Sequence, residues 1–127
     1  MMRLYLIVVA VILVPAGLSY GIDPAVTLPK LMDIAVQGTD QKQIFRALMC
    51  LYLGMSTFCV IAAFKPDWRH VATVWAVFFL LSIALGRVIS LVVDGAPSRV
   101  LDLYLAAELT GGLWGLALLV REARKKG

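Results

Sequence analysis

Three ionisable residues interrupt otherwise apolar stretches of this 127-residue chain: Arg46, Arg87 and Glu108. A charge at the centre of a bilayer costs about 2.5–3.5 kcal/mol on insertion scales, so such side chains are expected to turn inward and find partners. One carboxylate is available for two guanidiniums. If Glu108 pairs with one arginine, about one positive charge is left over, and a planar guanidinium suits bidentate capture of a carboxylate or phosphate. The expected chemistry is anion binding, with Arg87 on the anion, Arg46 guiding it at the rim, and Glu108 orienting Arg87 or carrying a proton.

Helical spacing enlarges the set. Arg87, Ser90 and Asp94 fall at i, i+3 and i+7 on one face, and Arg46 shares a face with Cys50, Leu53 and Thr57. Tyr104 and Glu108 share theirs with Gly111, Gly112 and Gly115, small residues that allow close helix approach. The ligand-binding residues expected are therefore Arg46, Arg87, Ser90, Asp94, Tyr104 and Glu108. Arg46 lies six residues after Asp40, Arg87 seven before Asp94 and Glu108 ten after Ser98, roughly 9 to 15 Å inside the helix ends at 1.5 Å per residue. A common outer level, opening outward, follows. Other readings stand beside this one: Arg46 as a snorkelling interfacial residue, Arg87 with Glu108 as a structural ion pair, the glycines as a packing seam, and Trp75 and Trp114 as bilayer or core aromatics.

No nucleophile and base pair is visible, so no catalytic residue is expected. Cys50 and Cys59 are nine residues apart in one predicted helix, on opposite faces and roughly 13 Å apart along its axis, too far for a disulfide. With His70 the single histidine, no metal site and no cofactor is expected either.

The elements that position these residues follow from composition. At 61% hydrophobic and 16% charged, with the apolar residues in long runs, the chain reads as all-α: a four-transmembrane-helix bundle of two helical hairpins, forming one integral membrane domain over residues 1–127. Spans are expected near 4–20, 41–64, 70–93 and 99–120, with a polar outer loop over 21–40. The first run has weak features of a cleavable signal, in Pro15, Ala16, Gly17 and Ser19, but is read as a retained span. Within the loop, Leu31 to Val36 suits either a short interfacial turn of helix or a plain solvated linker. Asp40 with Gln43 fits a capping box, Pro66 ends the second span, and Ser98 is a candidate N-cap.

The net charge of +4 gathers in Arg121, Arg124, Lys125 and Lys126, a membrane-flank pattern with some attraction for anionic headgroups; nucleic acid is not an expected partner. Arg3, Lys65, Arg69 and those four residues make seven cations on one side against Lys30, Lys42 and Arg99 on the other. Both termini are thereby expected in the cytoplasm.

Arg46-Ala47 with Tyr52, Gly86-Arg87-x-x-Ser90 followed by Asp94-Gly95-x-Pro97, and Glu108 in the last span together resemble the bacterial family known as domain of unknown function 4345. That resemblance implies a small four-helix protein of the bacterial cytoplasmic (inner) membrane and brings no activity with it. A looser similarity in size and helix number to DoxX-like proteins implies thiol or quinone chemistry, which no cysteine pair here could carry. Small multidrug exporters differ in having their membrane carboxylate in the first helix. Three function classes result: a non-enzymatic binder of a small anionic or lipid-like ligand, a small proton-coupled transporter built as a homo-oligomer, and an accessory or assembly subunit of a membrane-protein complex.

Overall fold

In the computed structural model, which describes residues 1–127, five α-helices are joined by short connections: α1 (Met2–Gly21), α2 (Pro24–Met32), α3 (Thr39–Phe64), α4 (Arg69–Val93) and α5 (Arg99–Lys126), with a single 3-10 turn at Pro66–Trp68. Four of them, α1, α3, α4 and α5, are long and apolar enough to cross a membrane. This is a multi-pass membrane protein. Its exposed apolar side chains, among them Val11, Leu51, Trp75, Phe78, Val92 and Leu113, are what a hydrocarbon environment requires.

Lipid tails are as apolar as leucine, so packing detail and hydrogen bonds decide which helices pair. One hairpin is α1 against α3. Gly17 lies where a Cβ would come within 2.8 Å of Tyr52 Cβ, and Gly21 where one would come within 2.5 Å of Met49 Cβ and 2.8 Å of the Phe45 carbonyl. Ser56 Oγ donates to the Ala10 carbonyl at 2.9 Å. The other hairpin is α4 against α5, where Gly112 receives Leu81 and Gly115 receives Val77 and the Tyr5 ring. α1 is the most enclosed span, burying Tyr5, Leu6, Val9, Ala10, Leu13, Ala16 and Tyr20. Near its end Gly17 lies at the crossing with α3, and Ser19 faces Tyr104 of α5.

The polar connection expected over 21–40 holds α2, which lies earlier than the Leu31 to Val36 segment and overlaps it only at Leu31 and Met32. Pro24 occupies the first turn, where its missing N–H costs nothing, and Asp33 ends the helix in the left-handed conformation at φ 57°. Pro24, Leu28 and Met32 are buried, so α2 lies down on the bundle as a lid over one end. The start of α3 also differs from expectation: Gly38, not Asp40, is the N-cap, and Gln41 Oε1 accepts from the amides of Gln37 (2.7 Å) and Gly38 (3.4 Å). Ser98 does occupy the N-cap position of α5, but its hydroxyl is buried without a partner; its carbonyl accepts from Leu101 and Asp102. α5 runs six residues past the expected end at 120, because its basic tail stays helical.

Tyr5 Oη is the other buried hydroxyl without a partner, while the Tyr5 ring meets Trp114 edge-on at 5.2 Å. An orphaned buried hydroxyl bears a desolvation penalty with no return. Tyr5→Phe is therefore expected to leave stability unchanged or raise it by about 1 kcal/mol, as measured by thermal unfolding in detergent; a clear loss would mean that the hydroxyl has a partner.

Candidate functional site

Ionisable groups in the hydrocarbon region need partners, and one cluster supplies them. Arg87 follows Leu80 and Ala84 on the inward stripe of α4, and Glu108 precedes Gly112 and Gly115 on that of α5. Their antiparallel pairing brings Arg87 Nε to Glu108 Oε2 at 2.7 Å and Nη2 to Oε1 at 3.2 Å. Glu108 is 4% exposed, so this bidentate pair is a buried one.

Tyrosines from the other hairpin complete it. Arg87 Nη2 donates to Tyr20 Oη at 2.7 Å, from the end of α1, and Tyr52 Oη on α3 donates to Glu108 Oε1 at 3.1 Å. Tyr104 on α5 donates to Ser19 Oγ at 2.8 Å, and Ser19 donates onward to the Ala16 carbonyl at 2.7 Å. The Tyr104 ring stands 5.7 Å from Arg87 Cζ, within cation–π range. Tyr20 contacts Phe45, Tyr52 and Tyr104 at ring separations of 5.7 to 6.4 Å. All four spans thus contribute to a single network.

The six residues expected at the site divide. Arg87, Tyr104 and Glu108 come together. Ser90 and Asp94 are exposed and satisfy each other, Ser90 Oγ donating to Asp94 Oδ2 at 2.7 Å, beside the α4–α5 turn. Arg46 does not join: it is exposed, with no ion pair or hydrogen bond, although its backbone packs on Gly21. The face it shares with Cys50 and Thr57 is real but points outward, because Tyr52, Ser56, Cys59 and Ala63 hold the inward face of α3. Arg46 and Tyr52, six residues apart, are about 120° apart around the helix and cannot both turn in.

Losing Arg46 changes the electrostatics. The cluster is one guanidinium on one carboxylate, without the leftover positive charge that the sequence suggested. Its spare capacity is for accepting: a carboxylate has about four lone-pair sites, and three are used on Glu108. Tyr104 Oη, having donated to Ser19, retains acceptor capacity of its own.

Tyr20, Tyr52 and Ser19 join the site although spacing of charged residues alone does not single them out. A signal was present. Tyr52 continues the small-residue stripe Ser56, Cys59 and Ala63, and Tyr20 continues Leu13, Ala16 and Gly17, so each phenol sat on a stripe that had to face inward.

The polar cluster floors a cleft. Val9, Ile12, Leu13 and Ala16 of α1 face Tyr104, Ala107, Glu108 and Gly111 of α5 across it, with Tyr52 and Leu80 at its base. Ile12 at the rim is 46% exposed whereas Tyr52 and Leu80 are buried, so the cleft, narrow at about 30 Å³, runs from the lipid-facing surface of the bundle down to Glu108. A second, separate cleft of about 70 Å³ lies by the α4–α5 turn, lined by Arg87, Ser90, Gly95 and Pro97.

A family described as Domain of unknown function (DUF4345) matches residues 1–119. The chain belongs to this family. The DUF4345 match takes in every residue of the network, from Ser19 to Glu108, and stops before the last basic residues of α5. No curated protein and no solved structure is detectably similar to the chain.

Proposed function

We propose that this protein takes the hydrogen-bond-donating head of a lipid-like molecule, such as a hydroxyl or amine, into the narrow lateral cleft between α1 and α5. The observation that carries this reading is the position of Glu108: a buried, paired carboxylate with acceptor capacity to spare, at the floor of a cleft whose other walls are mostly apolar. An apolar tail would lie along Ile12, Leu13 and Ala107, and the head would reach Glu108 Oε2 and Tyr104 Oη. Arg87 holds the carboxylate aimed, and Tyr20 and Tyr52 hold the pair. A charge-balanced floor favours a neutral or cationic head over the anion expected from sequence. In this reading the end bearing Arg3, Lys65, Arg69 and the α5 tail faces the cytoplasm and the network lies in the outer half of a bacterial inner membrane.

A competing reading, that Arg87 and Glu108 only clasp α4 to α5, is favoured by the closed bidentate geometry. Thermal unfolding of detergent-purified protein with added monoolein or oleate separates the two. Monoolein, with a neutral hydroxyl head, is expected to raise the midpoint by several degrees and oleate by much less. Ala107→Val, which narrows the cleft mouth by two methyl groups, is expected to reduce the monoolein shift strongly while moving the starting midpoint only slightly. Equal shifts in the wild type and in Ala107→Val would leave the clasp as the better account.

A further inference from the structure

Cations at the end of the bundle where α5 terminates fall into two groups. Arg3 lies over the Phe64 ring at 5.2 Å, Lys65 over Trp68 at 4.8 Å, and Arg69 donates to the Ala63 carbonyl through Nε (3.3 Å) and Nη2 (3.1 Å). Lys126 Nζ is 3.0 Å from Glu122 Oε1, and Glu122 Oε2 meets His70 Nδ1 at 2.7 Å. Those side chains are occupied. Arg121, Arg124 and Lys125 have neither an ion pair nor a hydrogen bond, and two of the three, Arg121 and Lys125, line one open cleft of about 350 Å³ with Met1, Met2, Leu118 and Glu122.

Arg121 and Lys125 are one helical turn apart, so their head groups can converge on one anion. Leu118, three residues before Arg121, is 6% exposed and continues the cleft toward the apolar body of the bundle. Glu122 also lines the cleft, but its charge is met by Lys126 and its second oxygen by His70. α5 has 28 residues, about 42 Å at 1.5 Å per residue against a hydrocarbon thickness of about 30 Å. Its final turns therefore reach headgroup level. Two free cations above an apolar wall, at that level, match one class of molecule.

We propose that the Arg121–Lys125 cleft is a specific site for an anionic phospholipid, with the phosphate between the guanidinium and the ammonium and an acyl chain descending along Leu118 and Met2. Arg124, equally free and equally charged, does not line the cleft and serves as the internal control. This site is independent of the α1–α5 cleft.

Native mass spectrometry of the full chain, released from nanodiscs of phosphatidylcholine with a minority of phosphatidylglycerol, tests it. One retained phosphatidylglycerol per protein is expected. Arg121→Gln with Lys125→Gln should lower the retained fraction about tenfold, and Arg124→Gln should change it less than twofold. Inorganic phosphate at millimolar concentration should not displace the lipid, since it lacks the acyl chain. An equal loss in Arg124→Gln would show diffuse attraction by the tail, and displacement by phosphate would show a simple anion site; either overturns the proposal. Unchanged retention in the double variant, with unfolding midpoints matching wild type, overturns it as well.

Discussion

Arg87→Met is expected to destabilise the bundle by about 3–5 kcal/mol, the cost of stranding one member of a buried ion pair. Glu108 is 4% exposed and takes two of its three hydrogen bonds from Arg87, so without the guanidinium it must bury a naked charge or take up a proton. Glu108→Leu should cost a similar amount, because Arg87 then keeps only the Tyr20 hydroxyl and the Tyr104 ring and has no counter-charge. The double variant should recover most of the loss, since two apolar side chains on facing helices need no compensation. Stability measured by titrating folded protein with sodium dodecyl sulfate in mixed micelles gives the coupling between the two positions directly. Strictly additive losses would mean that the pair does not exist in the membrane.

Gly21→Val is expected to cost about 3 kcal/mol or slightly more, at or beyond the upper end of ordinary overpacking. A Cβ at Gly21 would meet Met49 Cβ at 2.5 Å, the Phe45 carbonyl at 2.8 Å and Arg46 Cα at 3.0 Å. Two of those three atoms are backbone, so relief requires α1 to move off α3 instead of a side chain rotating. Tyr20 is the adjacent residue, and the same displacement should pull its hydroxyl from Arg87 and weaken the Arg87–Glu108 coupling. Gly54→Ala is the matched control: nothing lies within 4 Å of a Cβ there, and higher helix propensity should stabilise the protein by up to about 1 kcal/mol. Unfolding of the two variants side by side checks the contrast, and equal behaviour would contradict the close α1–α3 crossing.

The spans were legible in the sequence because hydrocarbon admits few alternatives: apolar runs of sufficient length fix four helices, and the short Lys65–Trp68 and Asp94–Pro97 connections make neighbours of the helices they join. Arg87 and Glu108 could be set at one level from depth and on inward faces from their stripes of small or apolar residues, but depth left Arg46 an equal partner for the carboxylate. Arg46 matched them in depth, but depth is one coordinate. Its azimuth was decided by the competing stripe through Tyr52, Ser56 and Cys59, which only the α1–α3 crossing makes compulsory. The tyrosines were hard to assign because a phenol is at home in a core, at an interface or in a network, and spacing does not separate these. α2 lies earlier than its amphipathic segment suggests for a local reason. Pro24 and Pro29 read as loop punctuation, whereas Pro24 begins the helix and Pro29 sits inside it, while Asp33 ends it in a conformation that sequence only weakly signals.

The cleft over Glu108 is where the account is most exposed to test. Electron cryo-microscopy of the protein in nanodiscs made from its host membrane, with a rigid antibody fragment bound for alignment, should show elongated density between Ile12 and Ala107 that ends within hydrogen-bond distance of Glu108 or Tyr104. Arg87 should remain bidentate on Glu108 beneath it. Helices α1 and α5 closed over an empty Glu108, with ordered lipid elsewhere around the bundle, would contradict it.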